Sequence, residues 1–135
     1  MIAGCGVDLV RVDRLDRWAT FADERLNRVF TEREIAAIRG DTKWSSQRAA
    51  VFFATKEAFY KALSNALVAT GRLKQEVFFG QVCPLIHVQK STWGIPELVV
   101  DWASISKLAG FTCAWQVHCS YAHEREYAIA YVMLS

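Results

Sequence analysis

The sequence predicts an α+β fold in which a mostly antiparallel sheet packs with a long central helix. The predicted order is one strand, three helices, two strands, a helix and two final strands. Successive strands joined by short turns pair as antiparallel hairpins, whereas parallel strands need long crossovers. The third helix is long and rich in alanine and phenylalanine, so we expect it to be largely buried.

Composition limits the classes of protein that the chain can belong to. Its 135 residues suit one domain spanning 1–135, and 53% hydrophobic residues allow a packed core. The net charge of +2 argues against a general nucleic-acid partner. No apolar stretch reaches the roughly 18 residues of a membrane span, and the N-terminus lacks signal-peptide features, so we expect no membrane partner and a cytoplasmic location. Cys5, Cys83, Cys113 and Cys119 form no C-x-x-C pair, and we expect reduced thiols rather than disulfides or zinc ligands.

The first half of the chain supplies the opening strand and three helices. Residues 2–10 form an apolar strand with two glycines, and residues 12–22 form a helix. At about 100° per residue, that helix places Val12, Leu15 and Ala19 on one arc. Thr31 followed by Glu34 is a capping-box pattern, which begins a second helix that continues to about residue 39. Ser45 or Ser46 can cap the long third helix, which ends near residue 67.

The second half supplies the hairpins. Residues 71–80 indicate a loop or short turn, and the strands 85–89 and 97–100 flank the turn 93–96. A helix over 101–108 ends at Gly110, because glycine readily adopts the left-handed conformation that closes a helix. The strands 112–121 and 127–134 follow, joined at 122–126.

Three charged residues could carry chemistry. Glu57 and Lys61 are four apart, so they share one face of the long helix. Taken alone they form an ordinary helical ion pair, and Asp8 at the strand end is an ordinary polar terminus. The flanking residues are nearly all apolar or small, however, and a carboxylate there is costly unless it is paired or metal-bound. If the first strand lies beside the long helix, Asp8 and Glu57 could converge on one cation, as two carboxylates hold Mg²⁺ beside substrate phosphates.

Four motifs in order give the chain a resemblance to a known family. They are Gly6-Val7-Asp8, the stretch from Phe53 to Lys61, Gly94-Ile95-Pro96, and His118 to His123 followed by Tyr127-Ala128. The chain resembles the holo-acyl-carrier-protein synthases, the small trimeric 4′-phosphopantetheinyl transferases. The resemblance implies their fold, and it implies transfer of the phosphopantetheine arm of coenzyme A to a serine of an apo acyl carrier protein or carrier domain. The other product would be adenosine 3′,5′-bisphosphate.

The resemblance also assigns roles to residues at the site. Asp8 and Glu57 would bind Mg²⁺ and through it the pyrophosphate of coenzyme A, and Lys61 would stabilise the leaving group. The base that takes the serine proton is left open between Glu57 and a metal-bound water. His118 matches a position near the nucleotide end of coenzyme A, and Lys56 could reach phosphate from another helix face. His87 and His123 are interpreted as structural.

The first helix would dock the carrier protein, because carriers are acidic and their recognition helix is rich in Asp and Glu. Arg14 matches a docking position of the family, and Arg11 and Arg17 flank it on the same arc. The alternative is a solvated helix face balanced by Asp13 and Asp16. The resemblance further implies a homotrimer with active sites between subunits, so that a neighbouring chain would supply His118.

The chain departs from the family at three places. Phe52 stands where many members carry an arginine, and Arg48, one helical turn earlier, could replace its phosphate contact. No glycine follows Lys61 until Gly71, and the segment 68–82 is longer than usual. Two alternatives therefore stay open beside an active transferase. One is a coenzyme A or carrier-protein binding module without turnover, and the other is an ordinary domain with structural acids.

Overall fold

The computed structural model describes residues 1–72, 75–110, 112 and 114–135, and these form two antiparallel sheets around a 24-residue helix. The strands are β1 (Gly4–Arg11), β2 (Ile86–Lys90), β3 (Pro96–Val100), β4 (Val117–Glu124) and β5 (Tyr127–Leu134). The α-helices are α1 (Asp23–Leu26), α2 (Glu32–Arg39), α3 (Ser46–Ala69), α4 (Phe79–Val82) and α5 (Trp102–Ala109). Two 3₁₀ helices cover Val12–Thr20 and Cys83–Leu85.

The sheets have the antiparallel topology that the sequence predicts. One has the strand order β1–β5–β4, and the other is the hairpin β2–β3. Alternate residues of β5, from Ala128 to Leu134, are buried against α3, while the intervening ones face outward. The α+β fold class is therefore confirmed, with α3 as the central helix.

The helix ends follow their capping residues. Thr31 accepts a hydrogen bond from the Glu34 backbone and the Glu34 carboxylate accepts one from the Thr31 backbone, which completes the predicted capping box. Ser45 caps α3, and Gly110 closes α5 in the left-handed conformation at φ 75°. These local signals were sufficient to predict where three helices begin or end.

β1 packs directly against the backbone of α3. Gly4 and Gly6 face the helix, and a Cβ atom added at Gly6 would lie 2.1 Å from the Ala58 carbonyl oxygen and 2.7 Å from the Ala62 nitrogen. At Gly4 the added atom would lie 2.3 Å from the Ala62 carbonyl oxygen. Only glycine permits backbone-to-backbone contact of this kind, and alanines on α3 complete it. The strand therefore rests directly on the helix backbone.

The segment after β1 corrects one prediction. Residues 12–20 form a 3₁₀ helix rather than an α-helix. With three residues per turn, positions 12, 15 and 18 coincide, so Trp18 joins Val12 and Leu15 on the packed side. Ala19, which the α-helical spacing placed there, is exposed. The apolar packing of Trp18 against Phe30 and Phe53 favours this tighter winding.

The last hairpin and the long loop correct two further boundaries. β4 begins at Val117 and continues to Glu124, so its connection to β5 shortens to Arg125 and Glu126. Arg125 takes a positive φ of 48°, as tight hairpin turns require. The predicted 71–80 loop ends at Phe79, where α4 begins, and part of it lies outside the described residues.

Cys5, Cys83 and Cys119 are free thiols, and Cys113 lies outside the described residues. Among the helices that the structure describes, none combines the length and the apolar character that a bilayer crossing requires.

The β1–α3 contact generates a stability prediction. Gly6→Ala should lower the free energy of unfolding by about 3 kcal/mol, because the added methyl meets backbone atoms that cannot move aside. Gly80→Ala is the matched control, since nothing lies within 4 Å of its added Cβ. Urea unfolding measures both. A Gly6→Ala protein as stable as Gly80→Ala would contradict the direct contact.

Candidate active site

Asp8 lies in β1, two residues after the second of the two glycines that contact α3. Alternate residues of β1 face α3, so Asp8 follows Gly4 and Gly6 on the helix side. Lys61 Nζ lies 2.8 Å from Asp8 Oδ1 and donates a second hydrogen bond to the Val7 carbonyl oxygen at 3.1 Å. The Asp8 side chain is 15% exposed and that of Lys61 49%, so the pair stands at the protein surface with one side open.

Glu57 lies one helical turn before Lys61 on the same face of α3 and is half-buried. Its pKa is raised above the usual value by burial and by the charge of Asp8, against the opposing effect of Lys61 and Arg14. Glu57 is thus close enough to Asp8 for the two carboxylates to repel each other. We call Asp8, Glu57 and Lys61 the acid site.

The donor set of the acid site fits a divalent cation. Two carboxylates that repel each other in a partly buried place are stabilised when a cation lies between them. Mg²⁺ prefers oxygen ligands and commonly takes one or two carboxylates, with phosphates and waters completing its shell. Among the described residues no group of three or more His, Cys, Asp or Glu side chains is arranged to hold a metal. Protein ligands alone would therefore not complete the shell, and substrate oxygens would have to.

Lys56 corrects a prediction. Its ammonium group is fully buried, 2.7 Å from Glu34 Oε2, and it donates to the carbonyl oxygens of Val29 at 2.7 Å and Cys83 at 3.0 Å. These three partners use all three ammonium protons. Lys56 therefore cannot reach a coenzyme A phosphate, and its role is structural.

Arg48 lies beside a separate cleft of about 440 Å³. Its guanidinium donates to the Ala37 carbonyl oxygen and remains exposed. Phe52 lines the same cleft, so the arginine does lie one turn from the phenylalanine on the predicted face. The cationic and imidazole side chains of this cleft are Arg33, Arg48, His87, Lys90 and His123. We call it the cationic cleft.

Two residues that the sequence interpretation treats as structural, His87 and His123, also line the cationic cleft. Strand alternation is the signal that could have found His123, because Tyr121 and His123 share one face of β4. His118 lies on the other face, is exposed, and has its Nε2 3.1 Å from Ser135 Oγ. Within one chain, His118 therefore points away from the cationic cleft.

The acid site and the cationic cleft lie on opposite sides of α3. Nine residues separate Arg48 from Glu57, which corresponds to about half a turn around the helix and roughly 13 Å along it. The helix itself stands between the two sites.

The arginines of the first 3₁₀ helix differ from one another. Arg14 lies over the Phe53 ring, 5.8 Å from its centroid, and its charge also acts on Glu57. Arg11 pairs with Asp13 at 2.5 Å, which matches at this position the alternative of a helix face balanced by aspartates. Arg17 is exposed. Arg14 is therefore the arginine that connects the exposed helix face with the acid site.

A strand-borne aspartate against a helix-borne glutamate and lysine defines a site suited to metal-assisted transfer of a phosphorylated group. Comparison with known proteins gives the family. A model of the 4′-phosphopantetheinyl transferase superfamily matches residues 4–132. The chain belongs to this family, and the resemblance inferred from the four motifs is confirmed.

Relatives align with this chain over nearly its full length and theirs. A holo-[acyl-carrier-protein] synthase of Ehrlichia chaffeensis is 33% identical, covering 99% of this chain and 97% of its own. One of Treponema pallidum is 35% identical, with 99% and 96% covered. The solved structure of a Chronobacterium ammoniagenes ACPS–CoA complex has a TM-score of 0.75 at 22% identity, covering 98% of this chain and 96% of that one, and so shares the fold.

Proposed function

We propose that the protein is a holo-acyl-carrier-protein synthase, which transfers the 4′-phosphopantetheine arm of coenzyme A to a serine of an apo acyl carrier protein or carrier domain. The observation that carries the proposal is the acid site, where Asp8, Glu57 and Lys61 converge from β1 and α3. Full-length relatives bear the same name.

The reaction exchanges a phosphoric anhydride linkage of coenzyme A for a phosphodiester linkage to the carrier. The carrier serine oxygen bonds to the phosphorus that carries pantetheine, and the bond from that phosphorus to the bridging pyrophosphate oxygen breaks. Adenosine 3′,5′-bisphosphate leaves with the electron pair. Lys61, whose ammonium is half exposed beside Asp8, would neutralise the charge that gathers on this leaving group.

Asp8 and Glu57 are the residues that would hold Mg²⁺, which supplies charge neutralisation to the pyrophosphate when bound. The serine hydroxyl must also lose its proton. Glu57, or a water that it orients, would accept this proton. Binding of coenzyme A alone would need no such set of groups, which favours a transferase over a binding module.

The nucleotide end of coenzyme A is assigned to the cationic cleft. Arg33, Arg48 and Lys90 give the cleft the charge that a phosphorylated nucleotide requires. Because α3 stands between this cleft and the acid site of the same chain, the cleft of a neighbouring subunit would complete the site.

The outer face of the three-stranded sheet supports this assembly. Val7, Leu9, Tyr127, Ile129 and Tyr131 are 42–60% exposed on this face. Val7 is paired with Tyr131 and Leu9 with Ile129 across β1 and β5, so the apolar residues are contiguous. Contiguous apolar surface of this kind is typical of a subunit interface. The proposed assembly is a homotrimer, in which His118 lies at or beside the contact.

Carrier docking is assigned to the first 3₁₀ helix, with Arg14 as its central residue and Arg17 beside it. An acidic carrier helix that binds there would bring its serine toward the acid site, because Arg14 is close enough for its charge to act on Glu57. The proposal includes a cytoplasmic location, which the three free thiols fit.

The activity itself is tested by intact-mass spectrometry of an apo acyl carrier protein with coenzyme A and Mg²⁺. The carrier should gain the mass of one phosphopantetheine, and a chelator should abolish the gain. Asp8→Ala and Glu57→Ala should each reduce turnover at least about 100-fold while the circular dichroism spectrum stays unchanged. Turnover by either variant near the parent rate would refute the metal assignment.

Carrier docking is tested by Arg14→Glu. The Michaelis constant for the carrier should rise about tenfold or more, because an attractive charge becomes repulsive, while coenzyme A affinity stays the same. Lys107→Glu makes the same change of charge on the exposed side of α5 and should have little effect. If the two variants have equal Michaelis constants for the carrier, Arg14 is not part of the docking surface.

The shared site is tested by mixing inactive subunits. One kind of chain carries Asp8→Ala in the acid site, and the other carries Arg48→Glu in the cationic cleft on the opposite side of α3. If neighbouring chains share each site, random mixed trimers should recover about a quarter of the parent activity. If one chain supplied both sides, every site would keep a lesion and no activity would return.

A further inference from the structure

A buried ion pair connects α3 with the structure around the cationic cleft. Lys56 and Glu34 are both fully enclosed, with Nζ 2.7 Å from Oε2. Lys56 also donates to Val29, before α2, and to Cys83, before β2. The ion pair therefore ties three segments of the chain to the central helix.

The second oxygen of Glu34 holds the edge of β2. Glu34 Oε1 accepts a hydrogen bond of 2.7 Å from the Val88 backbone nitrogen, and Val88 lies in the middle of β2. Since β2 pairs with β3 alone in the described sheets, this N–H belongs to the strand edge that no other strand covers. A carboxylate thus takes the place of a neighbouring strand.

The same group of contacts orients His87. Its Nδ1 lies 2.8 Å from Thr31 Oγ1 and 3.8 Å from Glu34 Oε1. His87, Val88, Gln89 and Lys90, four successive residues of β2, all line the cationic cleft together with Glu34 itself. The position of this wall of the cleft therefore depends on where Glu34 holds the strand.

We propose that Glu34, held by Lys56, is a positioning residue for coenzyme A: it fixes β2 so that Lys90 and His87 meet the arginines of α2 and α3 around the nucleotide end. The inference rests on the proposed function for its choice of ligand. Glu34 does not itself bind the ligand, because its oxygens are occupied by Lys56, Thr31 and Val88. Lys56 keeps the carboxylate from placing an unpaired negative charge at the floor of a cleft that receives phosphates.

The test separates positioning from stability. Glu34→Leu combined with Lys56→Met replaces the ion pair with apolar side chains of similar volume, a change that proteins often tolerate without loss of stability. The acceptor for Val88 N–H is then gone. We expect the Michaelis constant for coenzyme A to rise about tenfold with kcat within about twofold of the parent. Hydrogen exchange at the Val88 amide should become faster.

A second variant and a control keep the outcome decisive. Glu34→Asp retains the charge but shortens the side chain, so it cannot span Lys56 and Val88 together, and it should raise the same Michaelis constant. Ile105→Ala, in the core of α5, lowers stability away from the cleft and should leave this constant unchanged. If the double variant folds and its Michaelis constant for coenzyme A equals that of the parent, the proposal is overturned and the ion pair is purely structural.

Direct binding distinguishes failure of this inference from failure of the transferase assignment. Adenosine 3′,5′-bisphosphate, the nucleotide product, is titrated into the parent and each variant by calorimetry. Weaker binding by the Glu34 variants than by the parent and Ile105→Ala supports the positioning role even if no carrier is modified. Absence of binding by the parent, or equal binding by all proteins, overturns the inference whether or not transfer is observed.

Discussion

The direct contact of β1 with the backbone of α3 is the constraint on which the rest of the structure depends. Gly4 and Gly6 let the strand approach Ala58 and Ala62 so closely that no side chain fits between them. This approach places Asp8, the next residue on that side of the strand, against Lys61. The acid site is therefore a product of packing, since residues more than 50 positions apart meet because two backbones touch.

Two lysines of α3 show how exposure decides the role of a charge. Lys56 and Lys61 each pair with a carboxylate at 2.7–2.8 Å. Lys56 is enclosed with every proton donated, so it can only hold segments together, and its burial lowers its pKa against the opposing charge of Glu34. Lys61 is half exposed and can meet a substrate. A buried pair is costly to break, whereas an open pair can exchange its partner for a phosphate.

The central helix also separates the acid site from the cationic cleft, which lie on opposite sides of α3. Under the proposed function, coenzyme A would reach from the acid site of one chain to the cationic cleft of the next. The apolar outer face of the sheet offers the surface for that contact, because Val7 and Leu9 stand exposed beside Tyr131 and Ile129. In the proposed assembly, one subunit supplies the acid site and the next subunit binds the nucleotide in its cationic cleft. Glu34 connects these functions within each chain, because the helix that carries Glu57 also anchors β2 through Lys56.

Local signals in the sequence are sufficient to predict most of the secondary-structure elements and the family. The capping residues of α2 and α3, Gly110 and the hairpin strands predicted the elements, and four ordered motifs predicted the family with Asp8, Glu57 and Lys61 as its acid site. The packing of distant segments determines which of two lysines on one helix is exposed and which is buried, as Lys61 and Lys56 show. It also determines the 3₁₀ winding that exposes Ala19 and the place of His87 and His123 beside the cationic cleft. These outcomes depend on contacts between distant segments, and residue type and spacing do not specify such contacts.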